Sequence, residues 1–307
     1  MPVRRWLAGR AIPEYVAVGL DEPQSAVEAR LRGPGVDLDV TFSSVLVSLR
    51  PLTLAVRLGP EGDGAAAAPL SLHFRERRQD APWLGLIRLR PTGRLALPQG
   101  DANLFEAAGY DNHCVPRPRL WRFYLQRWWH RRRQHDNFRM SISDLHSEYV
   151  FYVCPRPVVL VTTVHEAGSN LFPMDLIGPT GGGDFLLALR STSPAIRLME
   201  GSRRLALSSM PLSELSNVYA LGKHHRHERI DWESLPFSTR PSARFGLPVP
   251  CPAQAVCEVT IERIQVVGSH TVFVTTPAHT EQCGAGRRIF HISGLYQAYL
   301  ERRMRSL

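Results

Sequence analysis

The stretch PRPVVLVTTVHEAGSNLFPMDLIGP, residues 155–179, decides how the second half of the chain is interpreted. It opens with an apolar run typical of a buried strand, and that run ends in Thr162 and Thr163. A turn sequence ending in Asn170 follows, and a second apolar run then leads to Met174. Hydroxyl and amide groups beside apolar surface suit a flat ligand with polar edges.

The composition is that of a globular protein, with 307 residues, 44% of them hydrophobic and 21% charged. No run is long enough to span a membrane, and no apolar stretch follows the first arginines, so we expect a cytoplasmic location. The net charge is +9, but Lys223 is the only lysine. An arginine skew of this kind is weak evidence for nucleic acid as a partner. Five scattered cysteines without a C-x-x-C pair predict reduced thiols and no metal site.

The first third of the chain reads as short β-branched or alternating strands separated by turn signals. The strands are predicted at residues 36–42, 45–50, 52–58, 70–76 and 84–90. Further strands are predicted at residues 186–190, 204–209, 255–268 and 270–279, with a short C-terminal helix at the end. This pattern favours a barrel or sandwich over alternating βαβ units. We therefore expect a β-rich domain of unknown role at residues 1–145 and a second domain at residues 146–307.

Residues 116–139, PRPRLWRFYLQRWWHRRRQHDNFR, interleave arginines with aromatic side chains at helical spacing. Such an amphipathic helix could contact nucleic acid or an anionic membrane surface. The simpler interpretation packs its aromatic face on a core or a subunit interface and sends the arginines into solvent. We expect the simpler one, because tryptophan is rarely left exposed.

The sequence RSTSP at residues 190–194 predicts a phosphate site. A strand ends at Arg190, Ser193 is a suitable N-cap, and Pro194 is a suitable first helical residue. A helix start has free N–H groups, and Arg190 with the hydroxyls of Ser191 and Thr192 would complete an anion cradle. Such helix starts are common, so this pattern alone is modest evidence.

Four blocks taken together resemble the flavin reductase-like family. These blocks are RPVVLVTT, GSNLFPM, RSTSP and FHISGLY, in that order within residues 146–300. The resemblance implies an FMN-binding split β-barrel, a homodimer, and NADH or NADPH as hydride donor. The implied fold class is mainly β, with the split barrel preceded by a β-rich domain that carries the Arg/Trp helix.

The resemblance also implies roles for single residues. His291 would lie near the nicotinamide and is the expected catalytic residue. Asp175 stands where the family often has serine, and a carboxylate there would oppose negative charge on reduced flavin. The remaining expected FMN contacts are at the ring edge and at the phosphate: Thr162, Thr163, Asn170 and Met174, then Arg190, Ser191, Thr192 and Ser193.

The stretch LGKHHRHERIDWESLPF, residues 221–237, contains three neighbouring histidines. Their spacing does not converge on one metal ion from a helix or a strand. A polar loop over the flavin mouth or the dimer interface is the preferred interpretation. Contact of His224 or Arg226 with an anionic cofactor comes next, and metal binding comes last.

These observations favour an FMN-dependent oxidoreductase that transfers hydride from NAD(P)H to flavin. The alternative is a non-enzymatic flavin- or haem-binding module with a partner-binding N-terminal domain. A third hypothesis, nucleic-acid binding through the Arg/Trp helix, is the weakest of the three.

Overall fold

The computed structural model describes residues 11–59, 69–133 and 138–305, so the N-terminal arginines discussed above lie outside it. Two seven-stranded antiparallel sheets are the largest units of the described chain. The mainly β fold class expected from the sequence is therefore confirmed. Within these residues, no helix combines the length and apolar character needed to cross a bilayer.

The first sheet has the strand order β3-β2-β6-β7-β8-β5-β4. Its strands are β2 (Val27–Gly33), β3 (Val36–Asp39), β4 (Ser44–Leu49), β5 (Leu52–Val56), β6 (Leu70–Glu76), β7 (Trp83–Leu95) and β8 (Ala102–Asn112). The five strands predicted in this region are present, with shifted ends. The sequence signal missed β2 and β8, since VEARLRG carries three charged residues and ANLFEAAGYDN has few β-branched ones.

The second sheet has the order β11-β10-β14-β17-β18-β13-β12. Its strands are β10 (Val159–His165), β11 (Gly168–Met174), β12 (Ile177–Pro179), β13 (Phe185–Arg190), β14 (Arg204–Ser209), β17 (Ala255–Val267) and β18 (His270–Gln282). The β17–β18 hairpin turns at Gly268, as predicted. Gly268 has φ +54, and a Cβ there would lie 2.7 Å from the Arg50 carbonyl oxygen, so the tight turn requires glycine.

The smaller sheets join distant parts of the chain. A three-stranded sheet pairs β1 (Tyr15–Leu20) with β19 (Arg288–Ser293), and β19 also pairs with β9 (Arg156–Pro157). A two-stranded sheet pairs β15 (Thr239–Pro241) with β16 (Pro248–Pro250).

The helices are α1 (Arg117–Arg133), α2 (Ile142–Phe151), α3 (Ala195–Ser202), α4 (Leu215–Ala220) and α5 (Gly294–Met304). Two 3-10 segments lie at Leu212–Glu214 and Leu221–Arg226. Ser141 caps α2, since its Oγ accepts a hydrogen bond from the Asp144 amide at 3.0 Å.

The two sheets share buried contacts. One hydrophobic cluster joins Val45 and Val47 of β4 to Leu186 of β13 and Val272 of β18. The predicted domain boundary at residue 145 falls inside α2, whose buried face packs on the first sheet with α5. The polar run that suggested a boundary is therefore followed by a packed helix, and the division into two domains stays a prediction.

Candidate functional site

A cavity of about 900 Å³ lies where β13 ends and α3 begins. We call it the arginine pocket; its walls include Arg50, Arg190 and Arg226 with the hydroxyl residues 191–193. The Ser191 amide donates to the Ser269 carbonyl at 3.1 Å, and the Ser193 amide donates to the Arg190 carbonyl at 2.8 Å. These bonds fold the end of β13 into a turn beside the β17–β18 hairpin. The structure therefore brings together the four residues predicted to hold a phosphate.

The helix start differs in detail from the sequence prediction. Helix α3 begins at Ala195, and Pro194 is its N-cap residue, with φ −58 and no side-chain cap bond. The Ser193 hydroxyl instead donates to the His225 carbonyl at 2.5 Å. The prediction that Ser193 is the N-cap residue was therefore wrong. Its hydroxyl forms a hydrogen bond with the His225 carbonyl and not with the start of the helix.

The pocket walls are electrostatically suited to an anion. Three guanidinium groups reach the cavity, and no carboxylate is among the described residues that line it. The Arg190 guanidinium carbon lies 4.0 Å from the centre of the Phe138 ring, a stacking that fixes its position. Burial lowers the pKa of His225, and the charge of Arg226 lowers it further, so His225 is neutral at pH 7.

The predicted ring-edge residues contact their own chain. Thr162, Thr163 and Asn170 are fully buried. The Thr162 hydroxyl donates to the Pro248 carbonyl at 3.1 Å, and the Thr163 hydroxyl lies 3.1 Å from that of Ser202. In this structure these two hydroxyls are engaged within the protein, and neither lines the arginine pocket.

The Asn170 side chain forms hydrogen bonds with residues 211–253, the segment that covers one face of β10 and β11 and that we call the cover. Its Nδ2 donates to the carbonyl oxygens of His224 at 2.9 Å and His227 at 2.6 Å. Apolar residues of 211–253 pack on the face of β10 and β11 that carries Leu160, Leu171 and Thr162. Thr163, Asn170 and Met174 lie on the opposite face. Burial of apolar residues such as Leu160 under this segment explains why the face is closed. Nothing in the strand pattern itself signals such a cover.

Met174 ends β11 and Asp175 follows it, in different surroundings. Met174 is 5% exposed and belongs to the core inside the second sheet. The Asp175 Oδ2 accepts hydrogen bonds from the His291 Nδ1 at 2.8 Å and the Tyr152 hydroxyl at 2.9 Å. The other ring nitrogen of His291 lies 2.8 Å from the Tyr219 hydroxyl. The sequence placed Asp175 and His291 at one cofactor, and the structure joins them directly.

The hydrogen bonds decide the charge of Asp175. Burial alone would raise the pKa of this carboxyl, but the hydrogen bond and charge of His291 outweigh it and leave the pKa below its usual value. Asp175 is therefore ionised and orients the imidazole. Sequence reasoning missed Tyr152 and Tyr219, which are distant in the chain from both partners.

The histidine-rich segment is held by hydrogen bonds within the chain. Nδ1 of His224 lies 3.1 Å from the Leu171 carbonyl, and Nδ1 of His225 lies 2.8 Å from the Gly222 carbonyl. In the described ranges, no group of three or more His, Cys, Asp or Glu side chains could hold a metal ion. Of this segment, His225 and Arg226 reach the arginine pocket, whereas His224 does not.

No protein-family model and no curated protein matches this chain. Solved structures similar to it include an FMN-binding protein from Thermus thermophilus, at 22% identity and a TM-score of 0.39, covering 44% of this chain and 74% of that one. An NADH:FAD oxidoreductase from Streptomyces globisporus matches at 16% identity and a TM-score of 0.44, covering 52% and 95%.

The flavin reductase component of a bacterial two-component tryptophan halogenase matches at 15% identity and a TM-score of 0.43, covering 48% and 93%. Flavin reductases are thus among the structures that this chain resembles, as the sequence blocks indicated. Each likeness covers about half of the chain.

Proposed function

We propose that the arginine pocket binds the phosphate of FMN and that the chain is an NAD(P)H-dependent flavin reductase built on a split barrel. The observation that carries this proposal is the set of three arginines and four hydroxyl residues around one cavity at a helix start. Charge-assisted hydrogen bonds from guanidinium groups are well suited to a phosphate. The homodimer and the cytoplasmic location are also proposals, and they rest on the family resemblance.

The described residues fit the phosphate end of FMN but not the edge of its ring. The phosphate end fits, because the pocket offers positive charge and hydroxyls without a competing carboxylate. Thr162, Thr163 and Asn170 do not fit the ring edge, since their side chains are buried against their own chain. When bound, the flavin would accept hydride from the nicotinamide, while the protein orients the two and excludes water. His291 is the proposed residue beside the nicotinamide, held by Asp175.

The phosphate contact is tested by titrating FMN and riboflavin into the protein and into an Arg190→Gln/Arg226→Gln variant. Loss of two charge-assisted bonds should weaken FMN binding about 100-fold and leave riboflavin binding little changed. Arg263→Gln is the matched control, because Arg263 is exposed on β17 and does not line the pocket. Equal losses for both flavins, or no loss, would contradict the assignment.

Reductase activity is tested by adding NADH and then NADPH to the FMN-loaded protein without oxygen. Bleaching of the flavin absorbance much faster than for free FMN would support hydride transfer. A bound flavin that neither nicotinamide reduces would favour the second candidate, a non-enzymatic flavin- or haem-binding module. Burial of Thr162, Thr163 and Asn170 leaves the flavin ring without its expected contacts, which argues against positioning for hydride transfer more than against phosphate binding.

A further inference from the structure

Helix α1 leaves an apolar face uncovered in the described structure. Its inner side packs on the core through Phe123, and Tyr124 stacks on His146 with ring centres 3.6 Å apart. On the outer side, Trp121 is 72% exposed and Leu125 is 58% exposed, one helical turn apart. The core therefore covers only the inner side of the helix, and packing of this outer side on a subunit interface stays a prediction.

The uncovered face continues onto the start of α2. Ile142 is 61% exposed there, and it lines the same cleft as Trp121 and Leu125. The cleft has a volume of about 440 Å³ and is bounded by the two helices. The exposed apolar side chains thus form one patch, which we call the α1 patch and define by Trp121, Leu125, Trp128 and Ile142.

Positive charge surrounds this patch. Helix α1 contains seven arginines and no acidic residue. Four arginines line the cleft, namely Arg127, Arg131, Arg132 and Arg139, and no described carboxylate does. The Arg132 guanidinium carbon lies 3.9 Å from the centre of the Trp128 ring, so charge and aromatic surface are presented together.

The charge pattern selects among the partners that could cover the patch. A second copy of the chain would place like-charged arginines against each other, which disfavours a symmetric contact through α1. An anionic partner is complementary. The bases of a nucleic acid would stack on tryptophan. They would not provide an apolar environment for exposed aliphatic side chains such as Leu125 and Ile142. A lipid interface accepts tryptophan and aliphatic side chains together, with arginines at the headgroups.

We propose that α1 and the start of α2 bind the surface of a membrane that contains anionic phospholipid. Arg131, Arg132 and Arg139 contact headgroup phosphates, whereas Arg127 is held within the chain by the Ile12 carbonyl and Glu14. Trp121, Leu125 and Ile142 enter the boundary between headgroups and acyl chains. The contact is peripheral and lies outside the residues of the arginine pocket, although Phe138 lines both cavities. This proposal does not depend on flavin binding.

The test is co-sedimentation of the full chain with vesicles of phosphatidylcholine alone or mixed with phosphatidylglycerol. We expect binding to the anionic vesicles, weakening as salt is added, with a blue shift of tryptophan fluorescence. Trp121→Ser/Leu125→Ser and Arg131→Gln/Arg132→Gln should each weaken binding about tenfold or more. All four positions are exposed or at the surface, and a thermal melt checks that each variant is folded.

Two control variants separate the patch from the general surface. Val266→Ser removes a side chain that is 65% exposed on β17, and Arg263→Gln removes an exposed charge from the same strand. Both should bind vesicles as the unaltered chain does. Equal binding to both vesicle types, or unchanged binding by the Trp121→Ser/Leu125→Ser variant, would overturn the proposal. So would failure to bind vesicles combined with tight binding of a single-stranded oligonucleotide, or with self-association that the patch variants abolish.

Discussion

Glu148 is a carboxyl group buried in α2, 8% exposed. Burial raises its pKa to about 8, and the negative charge of Asp175 contributes to the rise. The group is therefore neutral in the folded chain at pH 7. In the unfolded chain it has lost its proton, because its pKa there is about 4.3.

This difference predicts how stability changes with pH. Because the folded state holds a proton that the unfolded state releases, Glu148 lowers stability as pH rises from about 4.3 to about 8. Glu148→Gln removes the titration and should raise the free energy of unfolding by roughly 1–3 kcal/mol at pH 8, with little change at pH 4. Urea unfolding across this range measures the effect.

Glu262→Gln provides the comparison, because Glu262 is an exposed carboxylate on β17. The prediction fails if the two variants respond to pH in the same way.

At the scale of single residues, the sequence identified candidate site residues more readily than the side chains that form hydrogen bonds with them. The resemblance brought Asp175 and His291 to one site, and the structure joins them at 2.8 Å. Tyr152 and Tyr219 complete that network from a helix end and from α4, and only folding makes them neighbours. Short sequence motifs do not show contacts between side chains that are distant in the chain.

Among the elements, the segment at residues 211–253 is the one whose position most affects the site. Residues 221–237 of this segment were expected to be a polar loop, yet the segment contains α4, two 3-10 segments and a two-stranded sheet. Strands β10 and β11 could be predicted because their periodicity is local. The cover could not, since it packs through scattered apolar residues such as Leu221 and Val249 that show no period.

Asn170→Ala tests how this cover is fastened. The variant loses both hydrogen bonds to the carbonyls of His224 and His227, so stability should fall by about 1–3 kcal/mol. Amide hydrogen exchange should become faster in residues 221–230 and change little in the first sheet.

Asn217→Ala is the control, because the Asn217 side chain donates to Glu214 one turn away and its loss should have a small local effect. If Asn170 instead serves a flavin ring, Asn170→Ala will weaken flavin binding without faster exchange in the cover. That outcome would reverse our interpretation of the buried amide.

For the molecule as a whole, the shared hydrophobic clusters predict that the two sheets unfold together. Residues 146–307 expressed alone would expose the face of Leu186 and Val272 and would lose the pairing of β19 with β1. We expect this fragment to aggregate or to lack a cooperative melt, whereas the full chain shows a single thermal transition. A fragment that melts sharply by itself would contradict this prediction.

Point variants test the same idea in the full chain. Val272 is fully buried between the sheets, so Val272→Ala should lower the single transition, at a cost of about 2 kcal/mol. Val266→Ala, at a site 65% exposed, should leave the transition in place. Two separate transitions in Val272→Ala would indicate that the sheets are independent.

The mainly β class was predictable because short strands and turns recur along the chain. The contact between the sheets was not predictable, since strand periodicity shows that a face is buried without showing what buries it. The domain division at residue 145 was predicted from a polar run in the sequence. Helix α2 continues through that position, and its buried side chains, including Tyr149, pack in the hydrophobic core.

The pairing of β1 with β19 has a consequence for biosynthesis. Tyr15 faces Ser293 and Leu20 faces Arg288, so the first described strand pairs with one that is made much later in translation. At ordinary elongation speeds, ribosomes need roughly 15–60 seconds to bridge that interval. During this time the hydrogen-bonding edge of the early strand has no native partner, so the nascent chain is a natural client for chaperones that shield unpaired edges.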